Sequence, residues 1–277
     1  MKHLSKICLS ALFVVATAVT AKAQHKVEKI WETEPLLKVP ESALFTKDVI
    51  YVSIIDGQPW EADGKGGIAK VGKDGKIIDA NWITGLNAPK GMAIVGDLLY
   101  VADIKDVVAI SISKGKIDHK ITVADAGGFN DISADKNGVV WVTDSQKGGI
   151  YKVDGKAQTA TLFMDNIRGI NGIKAIDDKL YVLNGKEMFV TDASKTRTTI
   201  VALEQGGDGI EPVGNGDFIV TSWAGYMYYV NTAKGTKDLL LDKHTTEKTA
   251  DIGYDPATKT IYVPTFSANS IAAYKLQ

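Results

Sequence analysis

The chain has 277 residues, of which 45% are hydrophobic, 23% charged and 8% aromatic, and its formal net charge is −1. Those proportions exclude a disordered, collagen-like or disulfide-stapled chain. A charge near zero also removes the electrostatic reason to expect nucleic acid or an anionic membrane surface as a partner.

The first element is an apolar run, Leu9 to Ala18, preceded by Lys2 and Lys6 and followed by Ala21-Lys22-Ala23. A basic start, a short apolar stretch and small residues at −3 and −1 predict an export signal over 1–23 rather than a membrane span, which needs about 20 apolar residues. Residues 24–277 are then one domain, in the periplasm or secreted. The only cysteine, Cys8, lies in the signal, so the exported part has no disulfide and no thiolate ligand.

From there one short pattern recurs six times: Ile50-Tyr51-Val52, Leu99-Tyr100-Val101, Val140-Trp141-Val142, Leu180-Tyr181-Val182, Phe218-Ile219-Val220 and Ile261-Tyr262-Val263. Their central residues are spaced 49, 41, 40, 38 and 43 apart. Each run has an apolar strand after it and a short apolar run before it; in the first five a more polar strand follows. Turn pairs such as Asp74-Gly75, Asn137-Gly138 and Asn215-Gly216 bound them. Four strands per repeat of about 40 residues is the arithmetic of a propeller blade. The sequence therefore predicts an all-β, six-bladed β-propeller. The sixth repeat ends at Gln277 after three strands, and Val27 to Leu37 reads as a strand without a blade. Placing it outermost in the last blade closes the ring and leaves no long unpaired edge between the termini.

Ten or eleven positions before each central residue stand Glu41, Lys90, Asn130, Asn171, Asp208 and Asp251. Innermost strands line a propeller's channel, so these six form a polar ring at one mouth, with formal charge −2. Any one of them alone also reads as a turn residue bonding local backbone. Together they are oxygen donors suited to a hard divalent cation, calcium above all. Lys90 either balances the ring acids or anchors an anionic group. Blade 1 carries a long insertion, Ile55 to Gly67, which is read either as a solvated loop or as a wall over the mouth. In the second case Trp60 and Trp223 would cover a sugar-like face.

The segments Pro40-Glu41-Ser42-Ala43-Leu44, Phe129-Asn130-Asp131, Ile170-Asn171-Gly172-Ile173 and Gly207-Asp208-Gly209-Ile210 resemble the inner-strand motifs of the gluconolactonase / senescence-marker-protein (regucalcin) family. The resemblance runs through the exported chain in order and in blade register. It implies a six-bladed, calcium-dependent propeller with Glu41, Asn171 and Asp208 as metal ligands, Asp208 also the general base, and Asn130 near metal or substrate. Lys90 would assist at the developing oxyanion and Asp251 would face the substrate. Where the family often has arginine, two residues before Asn130, this chain has Gly128, and Glu-Gly-Pro is Glu41-Ser42-Ala43.

The implied function is metal-assisted hydrolysis of a small sugar-lactone-type ester by a monomer. The alternatives are a propeller that binds a ligand or protein without turnover and a structural module of a larger assembly. No Gly-x-Ser-x-Gly elbow, His-Glu-x-x-His pair or phosphate-binding Gly-Lys-Ser/Thr loop occurs. The histidines at 25, 119 and 244 fall at the exported terminus or in outer, polar segments.

Overall fold

The computed structural model describes residues 25–277, so the expected export signal lies outside the described residues. Six four-stranded antiparallel sheets are arranged in a ring as a six-bladed β-propeller. Blade 1 runs Pro40–Phe45, Ile50–Ile54, Gly66–Val71 and Ile77–Leu86, from axis to rim, and blades 2 to 5 repeat that order. Blade 6 is Gly253–Asp255, Thr260–Pro264 and Ile271–Leu276, completed on the outside by Val27–Glu32. Apart from a 3-10 turn at Phe266–Ala268, no helix occurs among the described residues, and none is long and apolar enough to cross a membrane.

The closing strand is shorter than the sequence reading, ending at Glu32 rather than Leu37. Beyond it the chain bends inward through Pro35, which has no N–H to give to a ladder. Leu37 is then buried between blades 6 and 1, with Ile50, Val52, Tyr262 and Ile271.

The repeated apolar triplets form the second strand of each blade, and both of its faces are covered by neighbouring blades. Such doubly buried strands read as continuous apolar runs, whereas the outermost strands alternate. Lys116–Thr122, at the rim of blade 2, shows that alternation. Six apolar clusters result, one at each blade–blade interface. The Asn215-Gly216 turn has φ of 49° and 84°, the left-handed pair that a two-residue hairpin requires.

Near the axis the blades meet through backbone. Asp251 N donates to Glu41 O at 3.0 Å and Ala43 N to Asp251 O at 3.2 Å, so blades 6 and 1 share a short parallel bridge. A Cβ on Gly172 would stand 2.2 Å from Asp208 O, and one on Gly209 would stand 2.6 Å from Ile252 N. Bare glycines there let adjacent inner strands touch.

Hydroxyls stand one residue before the end of the second strand in alternate blades, at Ser53, Thr143 and Thr221. Thr143 Oγ1 accepts from Asp131 N at 3.0 Å and donates to Asn171 O at 2.7 Å in the next blade. Thr221 Oγ1 repeats this between Gly209 N and Ala250 O. Thr143→Val keeps the shape but leaves two buried backbone groups without that partner. The expected cost is about 1–3 kcal/mol, read as a lowered midpoint in calorimetry, with Thr143→Ser retaining most of it.

Candidate functional site at the channel mouth

Each inner strand enters the ring through a distortion that turns a polar side chain toward the axis. In blades 1 to 3 the register slips between Pro40 and Ser42, Pro89 and Met92, and Phe129 and Ile132. Glu41, Lys90 and Asn130 occupy those bulges, a common way to re-aim a side chain. In blades 4 and 5 Asn171 and Asp208 sit two residues before the strand, held by Asn171 N to Leu183 O at 3.0 Å and Asp208 N to Thr221 O at 2.8 Å. Asp251 takes the corresponding place in blade 6 through its bridge to blade 1.

Glu41, Lys90, Asn130 and Asp208 are buried, and Asn171 and Asp251 are partly so. Burial, then the charges of Asp208 and Asp251, push the Glu41 carboxyl well above its ordinary range, against the opposing pull of Lys90. Burial and Asp251 raise Asp208 to about 8, while the Asn171 carboxamide beside it acts the other way. Several carboxyls in one desolvated funnel cannot all be charged without a proton or a cation among them.

Two oxygens of this group, Glu41 Oε2 and Asn171 Oδ1, are buried with no hydrogen-bond partner. Such orphans are rare in folded proteins and each needs a physical reason. With the Asp208 carboxylate they make a hard-oxygen donor set of two acids and an amide, a composition that fits calcium. Among the described residues no group of three or more His, Cys, Asp or Glu side chains is arranged to hold a metal ion. Glu41, Asn171 and Asp208 include only two acids, the third donor being an amide.

Above the ring lies an open cleft of about 380 Å3, lined by Trp60, Asn130, Asn171, Ser222 and Trp223 among others. Trp60 and Trp223 are both substantially exposed, and Trp223 is steadied edge-on by Phe266 at 5.7 Å and by Lys248 Nζ over its face at 4.2 Å. Trp60, Asn130, Asn171 and Trp223 line this cleft, and Glu41 and Asp208 lie beside it, whereas Asp251, expected to face the substrate, is drawn into the plug below by Ser42. Lys90 stands apart from the rest: its Nζ donates to Pro59 O at 2.6 Å and Ala88 O at 2.9 Å and lies 4.1 Å from the centre of the Trp60 ring. His25, His119 and His244 lie elsewhere. Their Nδ1 atoms pair with Asp238, Asp118 and Asp242, and His25 stacks on Tyr229.

Three features escaped the sequence reading. Ser222 Oγ is a further buried oxygen without a partner, in the wall of the cleft. Asp103 and Asp144 end second strands but point back into their own loops. Asp103 accepts from Asn87 N and Ala88 N, and Asp144 from Gly127 N and Gly128 N. Deeper on the axis, Lys174 Nζ bonds Glu211 Oε1 at 2.7 Å, Ser42 Oγ bonds Asp251 Oδ2 at 2.5 Å, and Asp131 accepts from Ile132 N and Ile173 N, both at 2.6 Å. Burial opposes the Lys174 charge, but Glu211, Asp131 and Asp251 outweigh it and raise its pKa. The only sequence signal for this plug was a charge inside an otherwise apolar strand.

No protein-family model matches the sequence, and no curated protein sequence matches it. Solved structures do match in fold. A streptogramin B lyase superposes with a TM-score of 0.67 at 11% identity, over 92% of this chain and 98% of that one. Virginiamycin B lyase from Staphylococcus aureus, an inactivated form with quinupristin, gives 0.63 at 16% identity, over 92% and 100%. A chain of a nidogen/laminin complex gives 0.64 at 16%, over 77% and 86%. At these identities the likeness is one of fold.

The axial plug makes its own prediction. Lys174→Met leaves Glu211 without its partner in the channel and should cost about 3–5 kcal/mol, measured as a shifted urea midpoint. Lys174→Met combined with Glu211→Met should recover most of that loss.

Proposed function

We propose that the channel mouth holds a calcium-type divalent cation through Glu41, Asn171 and Asp208 and that the protein hydrolyses a small ester of the sugar-lactone class. The observation that carries this reading is the pair of orphaned buried oxygens, Glu41 Oε2 and Asn171 Oδ1, beside the crowded carboxyl of Asp208. A cation bound there supplies neutralising charge and Lewis acidity toward an ester carbonyl.

The chain's own residues supply the rest. Asp208 is the group placed to take a proton from an attacking water at its carboxylate. Asn130, with a carboxamide in the cleft wall, and Ser222, whose Oγ is unbonded within the protein, offer hydrogen bonds to substrate hydroxyls. Asp251, which the sequence reading set beside the substrate, is held instead by Ser42 in the axial plug below the mouth. Trp60 and Trp223 present flat apolar faces suited to the C–H face of a sugar ring. The basic-then-apolar start of the chain supports export to the periplasm or medium.

Two of the matching structures are lyases, which supports the capacity of a six-bladed mouth for catalysis; the nidogen/laminin match favours the alternative, a propeller that binds without turnover. Calorimetric titration of the 24–277 protein should show one calcium site, lost in Glu41→Gln and Asp208→Asn. Hydrolysis across a panel of sugar lactones should vanish with a chelator and fall about 10²–10⁴-fold in Asp208→Asn. Calcium binding with no turnover would select the binding propeller, and no calcium binding would overturn the cation reading.

A further inference from the structure

The long blade 1 insertion is tied down in a way that its Gly/Pro/Asp-rich sequence does not reveal. Lys90 opens the inner strand of blade 2 and is only 2% exposed. Burial lowers its pKa, opposed by the charges of Glu41 and Asp103. A buried ammonium is costly unless its donors are satisfied. Here the direct partners are the Pro59 carbonyl at 2.6 Å and the Trp60 ring at 4.1 Å, both in the insertion, and the Ala88 carbonyl at 2.9 Å in blade 2 itself. One side chain therefore joins two blades across the mouth.

The indole of Trp60 then reaches onto blade 3. A Cβ on Gly128 would stand 2.6 Å from Trp60 Cζ3 and 2.7 Å from Gln146 Cγ, so only glycine leaves room for the ring. That seat is itself rigid, since Asp144 accepts from Gly127 N at 2.7 Å and Gly128 N at 2.9 Å. Trp60 as a whole remains 39% exposed and lines the cleft with Asn130, Asn171 and Trp223.

We propose that Lys90 is a positioning residue, a buried latch that holds the 55–65 loop across the mouth and seats Trp60 on Gly128 as a fixed wall of the cleft. It acts on a ligand through Trp60 rather than by touching it. The wall selects ligands with a flat apolar or ring C–H face and is present before any ligand arrives, so the ordering cost of the loop is not incurred on binding. The inference rests on the proposed function only in taking the cleft as the ligand site; the latch itself can be read in the ligand-free protein.

The test is amide hydrogen exchange of the ligand-free protein, compared among wild type, Lys90→Met, Lys90→Arg and Gly128→Val. Acrylamide quenching, with Trp60→Phe as the reference that isolates the Trp60 signal, gives a second readout. Lys90→Met and Gly128→Val should each speed exchange over 56–65 by about tenfold or more while the blade strands keep their protection, and should raise quenching of Trp60. Lys90→Arg should retain part of the protection. Unchanged loop protection and quenching in Lys90→Met would overturn the latch. If Lys90→Met does not fold, Gly128→Val decides the matter: a Trp60 no more quenched than in wild type contradicts the seat. Calcium titration of the wild-type protein answers the cation reading separately, so either idea can fail without the other.

Discussion

Charge on the axis of this propeller has to be compensated where water is scarce. Six inner strands come close enough that a single methyl group on Gly172 or Gly209 would collide with the next strand. Into that space the chain places Glu41, Asp131, Asp208, Glu211 and Asp251, with Lys90 and Lys174 as the cations whose charge acts on most of them. The cost of desolvating so many acids is large unless each finds a partner. How each one is compensated divides the axis into parts with different roles.

In the lower part compensation is internal. Lys174 pairs with Glu211, Asp131 accepts one backbone N–H on each oxygen, and Ser42 holds Asp251. This plug joins blades 1, 3, 4, 5 and 6 and serves the ring as a structure. At the mouth compensation is incomplete: Lys90 is turned aside to the blade 1 loop, and oxygens of Glu41, Asn171 and Ser222 have no partner. A difference in satisfaction, more than any difference in residue type, separates scaffold from site.

Much of this was legible in the sequence because propeller geometry is periodic. The β-branched and aromatic triplets around Tyr51, Tyr100, Trp141, Tyr181, Ile219 and Tyr262 mark doubly buried strands, and their count fixed the number of blades. The unpaired strand after the expected export signal had one edge left to fill and fills it, though it ends at Glu32, before Pro35, earlier than its hydrophobicity implied. Ring positions could be aligned because one residue per blade opens each inner strand. What was not legible depends on contacts between repeats. Nothing in Pro59-Trp60 reveals that a lysine in the next blade is its anchor, and Gly128, met in the sequence only as a departure from the family's arginine, does not show that Trp60 packs against it. Asp103 and Asp144 open short turns, and their carboxylates accept from the backbone that leads into the inner strands of their own blades.

Glu41, Asn171 and Asp208 sharing one cation is the central claim. Its most direct measurement is a crystal grown with a lanthanide in place of calcium and recorded at the metal's absorption edge. The expected result is a single strong anomalous peak on the axis at the mouth, bounded by Glu41 Oε2, Asn171 Oδ1 and the Asp208 carboxylate. A map with those three oxygens ordered around no peak, or with the metal held only by surface acids, would contradict it.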